Sequence, residues 1–183
     1  MQIIFTANNT FLGRAIRYFT KRSWLKSSRV SHVAVRLGEI DSNWMVEATL
    51  PNGFSPNWWP KFLRTNKVTY IFEMEGCPED KLNECMEKFI NDNIWDPYDL
   101  LDIIGMLSAI IWYWITGKRV KNTINDRKNM TCTESNYKFM QLVLEMTGVR
   151  FFVDRDPNII FPEDQLIECE SNPDKFKAVS LDF

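Results

Sequence analysis

The stretch from Val30 to Thr49 constrains the fold of this chain more than any other. Val30 to Leu37 alternates, with Val33, Val35 and Leu37 on one side and His32, Ala34 and Arg36 on the other. Gly38 to Asn43 supplies turn residues before a second run from Trp44 to Thr49. Two such runs around a turn predict an antiparallel hairpin with one buried face. Side chains repeat every second residue, so the register follows from the apolar faces: Val33 and Val35 must meet the face made by Trp44, Val46 and Ala48. Every register that does so puts His32 and Glu47 on the same face. With a loop of Gly38 to Asp41 the two residues are directly opposite; with the loop shifted by one residue on each strand they are diagonal neighbours. His32 is the single histidine of the chain. In either register a carboxylate can reach its ring and fix its tautomer and orientation.

A second local signal lies far downstream, at Thr131-Cys132-Thr133-Glu134. Thr131 is a good N-cap and Glu134 falls three residues later, which is a capping box opening a helix with an apolar stripe of Phe139, Leu142, Val143 and Met146. Gly148 stops that helix. Cys132 falls in the first turn, where unpaired N–H groups and the positive end of the helix dipole favour thiolate over thiol. Cys132, Asn136, Phe139 and Val143 share a face, so the sulfur points toward whatever the helix packs on. A purely structural helix more usually carries Leu or Val there. Glu134 needs no chemical role, because the cap accounts for it. Each of the three remaining residues also has a plain reading: His32 as a satisfied strand histidine, Glu47 as a solvent-facing strand carboxylate, and Cys132 as a small buried residue.

The rest of the chain supplies a scaffold. With 183 residues, 45% of them hydrophobic, the chain is large enough for one domain spanning 1–183 with a full core. Gln2 to Ala7 reads as a strand, and Phe11, Leu12, Ala15, Ile16 and Phe19 mark an amphipathic helix ending at Lys21-Arg22. Pro51 to Pro60, containing Asn52-Gly53 and Trp58-Trp59, reads as a turn-rich loop able to wall a cleft, followed by a short segment around Phe62 and Leu63. Lys67 to Glu75 alternates as a strand. Pro78 then starts a helix whose stripe is Leu82, Cys85, Met86, Phe89 and Ile90. Phe151 to Val153 is expected as a short strand, Pro157 to Leu166 as loop and turn, and Phe176 to Leu181 as a final strand.

Partners are bounded mainly by exclusion. A formal net charge of -2 gives no general polyanion signal, so no nucleic acid is expected. The basic residues that do crowd together, Arg14, Arg17, Lys21, Arg22, Lys26 and Arg29, read as a solvated helix and loop. Cys77, Cys85, Cys132 and Cys169 lack C-x-x-C spacing, and with one histidine there is no zinc set; neither metal nor cofactor is expected. Met1 to Ala7 lacks the basic start and apolar core of a secretory signal, which predicts a cytoplasmic protein with free thiols, a viral or membrane-peripheral origin being the alternative. Leu100 to Thr116 is apolar except for Asp102, and is shorter than the roughly 20 residues that span a bilayer. A buried helix is expected there. Trp112, Tyr113 and Trp114 beside Lys118, Arg119 and Lys121 carry the rival reading, membrane contact through residues 100–116. No pattern fixes an oligomeric state.

Several short strings, taken in order, carry a family resemblance: Ser31-His32-Val33-Ala34-Val35; Val46-Glu47-Ala48 with Asn52-Gly53; Tyr98-Asp99; Cys132-Thr133-Glu134; and Pro157 to Leu166, reading PNIIFPEDQL. Together they resemble the circularly permuted papain-fold family, the YiiX/YaeF-like branch of the NlpC-type cysteine hydrolases. The order is informative, because unpermuted relatives place the cysteine helix before the histidine strand. The resemblance implies an α+β papain-like fold, with an antiparallel, partly barrel-like sheet packed against helices that include the cysteine-bearing one. It implies Cys132 as nucleophile, His32 as general base and acid, and Glu47 as the polar third member, with Tyr98 near the cleft but without a chemical step. A cysteine hydrolase cleaving a peptide amide or an acyl-lipid ester through an acyl-enzyme is the expected activity. The same residues would serve a membrane-associated acyltransferase or lipid thioesterase, and a non-catalytic binding or structural module on this fold is the third expectation. Thr133 departs from the pattern, where serine is commoner, and the aromatic segment from Ile103 to Trp114 has no place in it.

Overall fold

The computed structural model describes residues 1–20, 28–38, 43–99, 130–153 and 160–181, together with 104, 105, 108, 112, 115 and 116. In chain order the elements are β1 (Gln2–Thr6), α1 (Phe11–Phe19), β2 (His32–Arg36), β3 (Trp44–Thr49), β4 (Gly53–Trp58), α2 (Trp59–Thr65), β5 (Val68–Met74), α3 (Glu79–Asn93), α4 (Cys132–Thr147), α5 (Pro162–Ser171) and β6 (Phe176–Ala178). The strands form an antiparallel sheet in the order β4-β3-β2-β1-β5-β6. Among the described residues the sheet is open, with β4 and β6 as its edges, so the partly barrel-like closure expected from the family resemblance is not what forms.

Alternation along the strands decides what each face meets. Val33, Val35, Val46 and Ala48 pack with Leu82, Met86 and Phe89 of α3 and with Phe139, Met140 and Val143 of α4. Ala34 and Met45, on the reverse face, pack with Trp59 and Phe62 of α2. Ring contacts join β4 to α3 and α3 to α4, edge-on between Phe54 and Phe89 at 5.2 Å and tilted between Phe89 and Phe139 at 5.8 Å. Burying one such phenylalanine fully stabilises the fold by about 1.5–3 kcal/mol. The α4 helix ends at Gly148, whose φ of 75° is the left-handed C-cap conformation that glycine adopts without strain.

Four expectations need correction. Pro51 to Pro60 is not a loop: after a turn at Leu50 to Asn52 it becomes β4 and enters α2. Pro56 is tolerated because β4 is an edge strand, where a missing N–H breaks no ladder on the outer side. Gly53, at φ 69°, lets this strand start hard against the Asp96 carbonyl, which a Cβ would strike. The second half of Pro157 to Leu166 is also regular, because Pro162 opens α5 and the Asp164 carboxylate accepts the Phe161 N–H at 3.1 Å; residues 157–159 lie outside the described residues. Phe151 to Val153 forms no strand, although Phe151 and Phe152 are buried against Phe176.

The fourth correction concerns the run from Leu100 to Thr116. Of its described residues Gly105 is buried, whereas Ile104, Trp112 and Ile115 are helical and exposed at 48%, 51% and 77%. A helix buried on every side is therefore excluded; the remainder of the run, like Lys21, Arg22, Lys26, Lys118, Arg119 and Lys121, lies outside the described residues. Among the described residues no helix is long and apolar enough to cross a membrane.

Candidate active site

The hairpin takes the second of the two registers. Val35 pairs with Val46 and Arg36 with Met45, and continuing that register makes His32 a diagonal neighbour of Glu47 on the α2 face. The two side chains meet, His32 Nε2 lying 2.8 Å from Glu47 Oε2. Pairing between β2 and β3 covers only the turn end of the hairpin. At the other end α4 arrives with its N-terminus: Cys132 hydrogen-bonds the His32 ring, and its sulfur also receives the backbone N–H groups of Val33 and Thr133. Sequence signals separated by a hundred residues thus converge on one imidazole.

The helix start forms the N-cap half of the expected capping box, without a return bond from the Glu134 side chain to the Thr131 N–H. Thr131 Oγ1 accepts the Glu134 N–H at 3.2 Å, and the Thr131 carbonyl accepts the Ser135 N–H at 2.9 Å. The Glu134 carboxylate itself pairs with Lys138 at 3.1 Å, an i,i+4 contact within the helix. With the Glu134 N–H on the cap and the Thr133 N–H on the sulfur, the Cys132 N–H is the remaining donor of that turn without an intrahelical acceptor.

The site is almost dry: Cys132, His32 and Glu47 are 5%, 8% and 6% exposed. Burial by itself would neutralise all three. For His32 burial is the largest influence and lowers its pKa, yet the Cys132 thiolate, the hydrogen bond to Cys132 and then Glu47 outweigh it and raise the ring well above its ordinary value. For Cys132 burial again opposes the charge, and the imidazolium, its hydrogen bond and the two backbone N–H groups overcome it, lowering the thiol. The two shifts have one cause, since each group favours the charged form of the other. Glu47 is lowered too: burial pushes it up, and the hydrogen bond and charge of His32, Asn57 and the charge of Lys61 more than reverse this.

Sequence reasoning missed Asn57. Its Nδ2–H donates to Glu47 Oε1 at 2.6 Å, while its own Oδ1 accepts the Trp58 N–H at 2.8 Å. Reading β4 as a strand would have revealed it, since Glu47 pairs with Ser55 and Asn57 is the next residue on that face. Gln165 and Asn136 were missed as a linked pair behind the cysteine, with Asn136 Nδ2 donating to Gln165 Oε1 at 2.9 Å. Tyr98 bridges to Met130 and so helps to seat the residue before the Thr131 cap. Arg29, read as solvated, is clamped by Glu163 and Glu170.

No family model matches the chain, and no curated protein sequence matches it. Its structure is similar to a crystal structure described as the metalloprotein YiiX from Escherichia coli O157:H7, DUF1105, with a TM-score of 0.57 and 12% identity over 98% of this chain and 94% of that one. The α+β fold is therefore YiiX-like along nearly the whole chain. Among the described residues no three His, Cys, Asp or Glu side chains gather as a metal-binding group.

Proposed function

We propose that this protein is a cysteine-dependent acyl-transferring enzyme, most simply a hydrolase of an amide or ester, with Cys132 as nucleophile, His32 as proton carrier and Glu47 as the residue that orients it. The observation that carries the reading is the buried imidazole held between a thiol at a helix start and a carboxylate. A nucleophile, a base and an orienter in this chain are what covalent acyl transfer requires.

In the first half-reaction the Cys132 thiolate attacks the substrate carbonyl carbon and a C–S bond forms. The Cys132 N–H at the start of α4 is placed to donate to the developing oxyanion, aided by the positive end of the helix. As the tetrahedral intermediate collapses, the C–N or C–O bond breaks and the imidazolium of His32 gives its proton to the departing amine or alcohol. Neutral His32 then takes a proton from water, which attacks the thioester. The C–S bond breaks, the acid is released, and the thiolate–imidazolium pair is restored. Glu47 keeps its charge throughout and holds the ring.

Substrates of peptide-amide or acyl-ester type are consistent with this chemistry. The deciding experiment is alkylation with iodoacetamide near neutral pH, followed peptide by peptide. Cys132 is expected to react through its thiolate faster than Cys169, and His32→Ala is expected to slow that reaction by about tenfold or more. Equal labelling of the two cysteines, unchanged in His32→Ala, would refute an activated thiol and favour a non-catalytic module.

A second reading replaces water by an amine or alcohol acceptor at a membrane. The exposure of three large apolar side chains, Ile104, Trp112 and Ile115, favours it. Flotation of the protein with liposomes, lost in a Trp112→Glu/Ile115→Glu variant, would support that reading; a chain that stays at the bottom of the gradient excludes it.

A further inference from the structure

The first turn of α5 is bonded both to the helix that carries Cys132 and to the segment that leads into the His32 strand. On one side Gln165, 2% exposed, donates from Nε2 to the Thr133 carbonyl at 2.8 Å and accepts from Asn136 Nδ2 at 2.9 Å. Both ends of its amide are thus spent on the first two turns of α4. On the other side Glu163, fully buried, accepts the Arg29 backbone N–H at 2.7 Å and Arg29 Nε at 2.8 Å. Residues two apart on a helix project about 200° from each other, so these contacts leave α5 in nearly opposite directions.

Arg29 is only three residues ahead of His32, and its position is over-determined. Its guanidinium also makes a two-pronged bond to Glu170, at 2.7 and 2.8 Å, and lies 5.6 Å from the centre of the Tyr70 ring. A planar fork held at four nitrogens, counting its own N–H, has little freedom to swing. Next along the chain, the Ser31 N–H donates to the Thr6 carbonyl at 2.8 Å. The strand entry leading to the imidazole is therefore pinned to α5 and to β1, and the helix start leading to the sulfur is pinned to the same turn of α5.

We propose that Gln165 is a positioning residue for the thiolate, acting with the Arg29–Glu163 clamp to make the first turn of α5 a spacer that fixes how closely the Cys132 turn approaches the His32 strand. The inference rests on reading Cys132 and His32 as the reactive pair. Gln165 touches no reacting atom. It holds the turn whose Thr133 N–H meets the sulfur, and a thiolate stabilised by short-range contacts loses that stabilisation when the turn drifts by a fraction of an ångström.

The test is the pH dependence of thiolate formation at Cys132, read as ultraviolet thiolate absorbance against a Cys132→Ala reference, in the wild-type chain, Gln165→Met and Arg29→Gln. Methionine matches the length of glutamine and keeps the packing while removing both hydrogen bonds. The expected result is folded variants with unchanged near-ultraviolet circular dichroism, and thiolate midpoints displaced upward by about one unit or more, a tenfold loss of thiolate at a fixed pH below the midpoint. A wild-type midpoint at the ordinary free-thiol value would sink the reactive-pair reading, and this inference with it. A depressed wild-type midpoint that Gln165→Met leaves in place would overturn the positioning role alone. A Gln165→Met chain that fails to fold would assign the residue to stability and overturn the proposal as well.

Discussion

Replacing Cys132 by alanine should move the titration of His32 more than neutralising Glu47 does, and the chain is well suited to the measurement because it holds one histidine. In the wild-type protein burial opposes the imidazolium, and the thiolate, followed by Glu47, raises the ring well above its ordinary value. Cys132→Ala removes the larger of the two supports. Glu47→Gln removes the smaller, and its size can be worked out from the contact: a hydrogen bond to a charged partner contributes about 1.5–3 kcal/mol, or about 1–2 pKa units. The midpoint should therefore fall by about 1–2 units in Glu47→Gln and by at least as much in Cys132→Ala. Glu47→Gln also creates a local conflict. If the new amide offers its oxygen to His32, its nitrogen faces Asn57 Nδ2, and Asn57 cannot turn over without giving up the Trp58 N–H. One hydrogen bond is lost, which should cost about 1 kcal/mol of stability. The assay is the chemical shift of the imidazole ring protons against pH, with thermal unfolding alongside. If Cys132→Ala leaves the midpoint within about 0.3 units of the wild type, no thiolate supports the ring and the ion-pair argument is wrong.

Two further outcomes follow from particular contacts. Glu47 has a folded-state pKa below its ordinary 4.5 despite burial, so its contribution to stability is present above that value and is lost as the pH falls through the depressed one; the melting temperature of the wild type should fall more steeply than that of Glu47→Gln in that acid window, and parallel curves would contradict the assignment. Gly53→Ala combines a φ of 69° with a Cβ driven into the Asp96 carbonyl. It should destabilise the protein by about 2–4 kcal/mol in urea unfolding, and a loss under about 1 kcal/mol would mean that β4 can relax away from Asp96.

How much of the site could be read in the sequence depended on the range of the signal. The hairpin was legible because alternation fixes which residues share a face, and that alone brought His32 to Glu47. The helix start was legible because a cap is written in four consecutive residues. Asn57 was hidden because Pro56 and Asn52-Gly53 are turn signals, and only the edge position of β4 makes a strand through them acceptable. The α5 helix was hidden in part because its opening Phe161-Pro162 follows a string of loop-like residues, and no alternation marks it. Arg29 was misread for a different reason: its partner Glu163 is 134 residues away, and ion pairing at that distance leaves no local pattern. The meeting of Cys132 with His32 was likewise beyond periodicity, and rested on the order of motifs.

The cysteines of this chain separate burial from reactivity. Cys169 is fully buried in α5, and burial, with Glu168 and Glu170 nearby, raises its thiol well above the ordinary value. Cys85 in α3 is raised as well, by burial first and then by the neighbouring Cys77 and Glu84. Cys132 is buried to a comparable degree, and burial is again the largest influence on it, yet its shift has the opposite sign. What differs is the company: an imidazole that Glu47 and Asn57 hold in place, and N–H groups from Val33 and Thr133 aimed at the sulfur. In a low-dielectric interior those same contacts act more strongly than they would in water, so the burial that silences Cys169 strengthens the pairing at Cys132 once the partners are fixed. Fixing the partners is therefore the demanding step, and it is met by elements remote from the sulfur, with β4 holding Glu47 and α5 holding both the Cys132 turn and the approach to His32.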